Sequence, residues 1–171
     1  MGETRRLHLL RHAKSSWDDP TLADPERPLA PRGRKAAKRI AGWAASHDVR
    51  PQVVACSSAV RARETLERVL PGLGRPEVWT EPSLYGAAAE ALLARVQALP
   101  DDVEEAMLVG HNPGLQELVL LLAEKGELRD SAAAKLPTGA LATLETDVSG
   151  WAEINPGQMR LSSFVVPRDL R

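Results

Sequence analysis

Hydrophobic positions along the chain fall into short blocks separated by polar turns, and their period changes from block to block. Residues 5–10 read Arg5-Arg6-Leu7-His8-Leu9-Leu10, a short buried strand that ends in a polar pair. Residues 52–56, 77–81 and 106–109 read as further strands, and 140–146 and 159–166 as two late ones. Between them the spacing turns helical. Ala36, Ala37, Ile40, Ala41, Trp43 and Ala44 mark one face of a helix over 32–46, with Pro31 suited to its first turn. Ser57-Ser58 is a candidate cap for a helix over 59–70, and residues 86–99 form an Ala- and Leu-rich helix. The block from Pro113-Gly114 to Ala123 is apolar nearly all round, which predicts a buried helix. Residues 14–28 carry Asp19-Pro20, Asp24-Pro25 and Arg27-Pro28 and read as a long loop. A connection of that length in a compact domain usually serves or covers a site. Residues 124–139 read as a polar stretch without an element of their own. Strands alternating with helices predict a layered α/β domain on a mainly parallel sheet, a single domain over 1–171.

Composition narrows the function classes. The chain is 43% hydrophobic and 26% charged, with a formal net charge of -1. No basic excess points to nucleic acid. The single Cys56 excludes an internal disulfide and a multi-cysteine metal site, and reads as a small buried residue. The longest apolar run, 118–123, is far short of the ~20 residues needed to span a bilayer. The charged amino-terminal stretch lacks the apolar core of a signal peptide. The expectation is a soluble, cytoplasmic protein with no membrane partner.

Three places then share one design: an apolar strand followed by a polar turn. They are Leu10-Arg11-His12, Cys56-Ser57-Ser58-Ala59-Val60-Arg61 and Val109-Gly110-His111-Asn112-Pro113-Gly114. In an open α/β sheet ligands collect at the carboxyl ends of strands, so all three can face one crevice. Arg11 and Arg61 carry donor forks suited to phosphate oxygens. His12 can be a neutral nucleophile near pH 7, and nearby arginines disfavour its charged form. His111 supplies a further donor, Ser15 and Asn112 are candidate pocket-lining residues, and helix starts near Ser58 and Asn112 suit an anion. Two lone histidines make a poor metal site, so neither metal nor cofactor is expected. His8 and His47 read as structural or exposed. Trp17 and Asp18 fit either the pocket or a plain loop. Arg63 is expected to face solvent or to pair with Glu67 at helical spacing.

These motifs resemble the histidine phosphatase (phosphoglycerate-mutase-like) superfamily: Leu-Arg-His after the first strand, Ser57-Ser58-x-x-Arg61-x-x-Glu64-Thr65, and Gly110-His-Asn-Pro-Gly114. Arg27-Pro-Leu-x-Pro-Arg-Gly33 is similar to the family's lead into its first helix. Arg11-His-Ala-Lys-Ser-Ser-Trp17 in a short chain is most similar to the small SixA-type phosphohistidine phosphatases. The resemblance implies a three-layer α/β/α sandwich and a phosphohistidine intermediate on His12, with Arg11, Arg61 and His111 binding phosphate. Ala13 stands where many members have glycine. Ester-cleaving members carry an acid after the third strand, and here only Glu81 and Glu90 are candidates for it. A missing acid suits an imidazole leaving group, so the expected substrate is a phosphohistidine-containing protein. The alternatives are a phosphatase for a small phosphate ester and a non-catalytic module that binds phosphoproteins. Six basic residues between Arg27 and Arg39 are either a solvated face or a docking surface for an acidic or phosphorylated partner.

Overall fold

The computed structural model describes residues 4–170, so the extreme ends of the expected 1–171 domain lie outside the described residues. Six strands form one sheet: β1 (Arg5–Arg11), β2 (Val53–Ser57), β3 (Glu77–Glu81), β4 (Glu105–Gly110), β5 (Leu141–Thr146) and β6 (Arg160–Val165). Their order is β3-β2-β4-β1-β5-β6. The first four are mutually parallel, and β5 and β6 extend the sheet antiparallel. Five helices accompany them: α1 (Pro31–Ser46), α2 (Val60–Val69), α3 (Ala89–Gln97), α4 (Gly114–Leu122) and α5 (Glu127–Ala134).

Alternation along the strands builds two cores. Leu7, Leu9, Ala55, Leu108 and Ala142 point to one face, where α3, α4 and α5 cover them with Leu92, Leu118, Val119 and Ala132. Leu10, Val54, Cys56, Met107 and Val109 point to the other, against Ala37, Ile40 and Ala44 of α1 and Ala62 and Leu66 of α2. Both faces of the central strands are dry, which is why they read as nearly continuous apolar runs. The result is the expected three-layer α/β/α sandwich.

Two elements differ from the pattern-based expectation. The polar stretch after α4 contains α5, whose one buried residue, Ala132, leaves no hydrophobic period to detect. Expected to begin at residue 86, α3 starts only at Ala89, because Gly86 takes a φ of +71°, outside the helical range.

Register sets the future site. Arg11 lies opposite Gly110, and Cys56 opposite Val109, so the ends of β1, β2 and β4 stop at one level. The turn before β5 closes the side of β1: Gly139 donates its N–H to the carbonyls of Arg11 (3.1 Å) and His12 (2.9 Å), with φ at +78°. Gly33 of α1 backs the same loop. A Cβ there would stand 2.1 Å from the Lys14 carbonyl oxygen, so only glycine lets the helix approach this closely.

Candidate active site

The structure brings Arg11, His12, Arg61 and His111 together at the strand ends. The rings of His12 and His111 lie 5.2 Å apart, centroid to centroid. His12 is buried, and its Nδ1 bonds the carbonyl of Ala13 at 2.7 Å. A carbonyl only accepts, so Nδ1 carries the proton and Nε2 keeps its lone pair. Burial, aided by repulsion from His111, Arg61 and Arg11, pushes the His12 pKa down to about 3. Its ring is therefore neutral at pH 7.

His111 is held through Nε2 to the Ser57 hydroxyl at 2.7 Å. The Ser57 oxygen also accepts the N–H of Ala59 at 3.3 Å, and its own proton can be given to the imidazole nitrogen. In that tautomer His111 presents a protonated Nδ1, and this nitrogen is buried and without a partner. Burial and Arg61 lower its pKa to about 4, while Asp24 works in the opposite direction. Arg11 gives Nη1 to the Leu136 carbonyl at 2.9 Å, and its Nε is buried without a partner. Among the described residues these two nitrogens are the only buried side-chain polar atoms left unbonded, and both face the cost of that state.

Arg61 is oriented from outside by a residue that the sequence reading did not single out. Its Nη1 donates to the Asp24 carbonyl (2.7 Å) and its Nη2 to the Asp24 carboxylate (2.9 Å). Tyr85 donates to the same carboxylate at 2.5 Å, and Arg27 to its other oxygen at 3.0 Å. The Tyr85 hydroxyl first, then Arg61 and Arg27, hold the Asp24 carboxyl well below the usual range. Asp24 is thus a fixed anion and a poor proton donor. The visible signal was the long loop itself, with a carboxylate and an arginine three residues apart in Asp24-Pro-Glu-Arg27.

Several expected roles are relocated. Ser15 accepts a hydrogen bond from Arg27 at 2.6 Å and so ties the loop down. Asn112 donates to the Leu136 carbonyl (3.0 Å) and accepts the N–H of Gln116 (3.2 Å), joining α4 to the turn before β5. Ser58 caps nothing, since α2 starts at Val60 without a side-chain cap and Ser57 turns to His111 instead. Arg63 faces solvent, as one of its two expected readings had it, and bonds the Ser58 carbonyl rather than Glu67. Trp17 is exposed and packs under the Arg27 guanidinium. His8 is buried between Thr143 and Glu105, far down β1, and His47 stacks on Trp43 at the surface. Burial pushes the Cys56 thiol up to about 12, which leaves it unreactive.

Neither candidate acid joins the cluster. Arg95 grips the Glu81 carboxylate through Nε (2.7 Å) and Nη2 (2.8 Å). Glu90 is exposed on the first turn of α3. No hydrogen bond or ion pair among the described residues links either to the four central side chains. Among those residues there is also no group of three or more His, Cys, Asp or Glu side chains placed to hold a metal ion, and no helix long and apolar enough to cross a membrane.

Two consequences can be measured. Both histidines are neutral when folded and have an ordinary pKa of about 6.5 when unfolded. The unfolded chain therefore binds more protons below that value. Their contribution to stability is complete above pH 6.5 and is lost as pH falls toward 4. Denaturant melts between pH 7.5 and 4.5 should show it, and His111→Asn should flatten the slope. Replacing Asp24 with asparagine removes the group that raises the His111 pKa. The His111 titration, followed by imidazole NMR, should move to lower pH, and orthovanadate should bind more tightly for lack of a competing anion.

A mainly parallel sheet that gathers two arginines and two neutral histidines at its strand ends suits an enzyme of the phosphatase class. The model of the histidine phosphatase superfamily (branch 1) matches residues 7–91. An uncharacterized protein of Mycobacterium tuberculosis is 37% identical over 164 residues, covering 93% of this chain and all of that one. Two solved structures, both assigned as phosphohistidine phosphatase SixA, are similar throughout. The one from Agrobacterium tumefaciens has a TM-score of 0.83 at 29% identity, covering 95% of this chain and 98% of its own. The one from Nakamurella multipartitia has a TM-score of 0.82 at 28% identity, covering 95% and 96%. The chain belongs to the histidine phosphatase superfamily, and its structural neighbours are of the SixA type.

Proposed function

We propose that this protein is a phosphohistidine phosphatase that removes the phosphoryl group from a histidine of a partner protein in the cytoplasm, with His12 as nucleophile. The observation that carries the reading is the proton arrangement on His12: Nδ1–H on the Ala13 carbonyl, Nε2 bare, the ring neutral. Arg11 and Arg61 meet the phosphoryl oxygens, and their charge stabilises the equatorial oxygens as the group moves. The unbonded Arg11 Nε and His111 Nδ1 are suited to two of those oxygens.

The Nε2 lone pair forms a bond to phosphorus, and the bond from phosphorus to the substrate imidazole breaks. The substrate ring, protonated on its other nitrogen, leaves as a neutral imidazole, so no acid from the enzyme is required. His12 keeps its Nδ1 proton throughout and becomes the same kind of N-phosphorylated imidazolium. The transfer between equivalent rings is close to balanced. Water then attacks phosphorus, His12 departs neutral, and inorganic phosphate is released with one proton to solvent.

Fixed ionisation of Asp24 and the pairing of Glu81 favour a P–N substrate over an ester, whose alkoxide needs a donated proton. The test compares kcat/KM for a histidine-phosphorylated protein, for phosphoramidate and for a panel of phosphate esters. Preference for the P–N substrates by about a hundredfold or more is expected, since leaving-group protonation is typically worth that much. Preference for an ester overturns the reading and points to Tyr85 or an unassigned acid.

A further inference from the structure

Beside the catalytic crevice runs a groove of about 370 Å³ lined by Lys14, Arg32, Arg39, Lys135 and Arg168. No carboxylate lines it. Among the described residues Lys14, Arg32, Arg39 and Lys135 enter no ion pair, and Arg168 has only its exposed neighbour Asp169 at 3.9 Å. We propose that this groove is the docking surface for an acidic face of the substrate phosphoprotein. The proposal rests on the phosphohistidine reading above and extends it to the partner.

Three observations support it. First, two of the segments that wall the groove adjoin the catalytic site. Lys14 lies two residues beyond His12, and Pro137 and Thr138 precede the Gly139 that bonds the Arg11 and His12 carbonyls. A protein whose phosphohistidine reaches His12 can lay its neighbouring surface here. Second, the charge is placed against local stability. Helix α1 has five cations and no acid in 16 residues, and Arg32 and Arg34 sit in its first turn, where the helix dipole disfavours positive charge. Arg32, Ala36 and Arg39 share one face of α1, so the cations are aligned on the groove rather than spread over the surface. Third, the surface is too long for a small anion. Arg39 also lines the next depression along α1, with Lys38, Trp43 and Leu170. From residue 32 to 43 the helix advances about 16 Å. Ala36, Pro137 and Val166 give the groove an apolar floor between the charges, which suits a protein segment better than a free phosphate.

The experiment uses a histidine phosphotransfer domain with acids around its histidine, phosphorylated with phosphoramidate, beside phosphoramidate itself. The enzyme variants are Arg32→Glu/Arg39→Glu and Lys135→Glu, all exposed positions outside the catalytic cluster. The double variant is expected to lower kcat/KM for the phosphoprotein by about tenfold or more and to flatten its salt dependence. With phosphoramidate the rate should stay within about twofold, which also shows that the variant is folded. Amide replacement of the acids on the phosphoprotein should give the same loss, and should add little to the double variant. Unchanged kcat/KM for the phosphoprotein overturns the docking surface and leaves the phosphohistidine reading standing. So does an equal loss on both substrates, which would make the charge a property of the catalytic site. Hydrolysis of neither P–N substrate overturns both proposals.

Discussion

Replacing His12 with alanine is expected to lower phosphate release by at least about four orders of magnitude while vanadate still binds, the size of loss seen when a nucleophile is removed. The expectation follows from position rather than from residue type. His12 is the ring whose Nε2 is free, because the Ala13 carbonyl holds the proton on Nδ1. Its neighbours Arg11 and Arg61 remain in the variant, so the anion site survives the loss of the nucleophile. Single-turnover phosphate release and vanadate titration check the two halves. A variant that turns over normally removes His12 from the chemistry, and one that also loses vanadate shows that the fold around β1 has changed.

Replacing Arg61 with alanine is expected to reduce kcat/KM by about 10²–10³, the range for removal of one preorganised donor from an oxyanion site. The effect should exceed that of a simple lost cation. Asp24 would keep Arg27 and Tyr85 but lose the guanidinium that balances it toward the site. Its ionised carboxylate would then repel the incoming dianion. Combining Arg61→Ala with Asp24→Asn should recover part of the loss, and Arg61→Lys should not restore activity, since an ammonium cannot hold both the Asp24 carbonyl and its carboxylate in one plane. Steady-state kinetics on the four variants tests the coupling directly. Strict additivity of the Arg61 and Asp24 effects would show that they act separately.

Much of this geometry is legible in the chain before folding. The three strand-then-turn segments name Arg11, His12, Arg61 and His111, because each ends an apolar run at the same end of the parallel strands. The layers follow from the change in hydrophobic period. What the pattern does not show is what each polar side chain bonds. Ser15 and Asn112 stand in the motifs of the site, yet their hydrogen bonds go to Arg27 and to the Leu136 carbonyl. Asp24 and Tyr85 come from a loop and a turn 61 residues apart, and only the fold brings them together on Arg61. Glu81 has the position expected of an acid, but nothing local reveals that Arg95 holds it. Helix α5 is hidden for a related reason: with Ala132 alone buried, its helicity depends on packing against α4 rather than on an apolar stripe.

The central claim is a covalent phosphoryl group on Nε2 of His12. The direct measurement is rapid mixing with a histidine-phosphorylated protein, alkaline quench to preserve P–N bonds, and mass spectrometry of the peptide that contains His12. The account predicts one phosphoryl group on that imidazole, attached at Nε2, formed at a rate no slower than turnover and absent from His12→Ala. Turnover without any phosphorylated enzyme, or a phosphoryl group on another side chain, would contradict it.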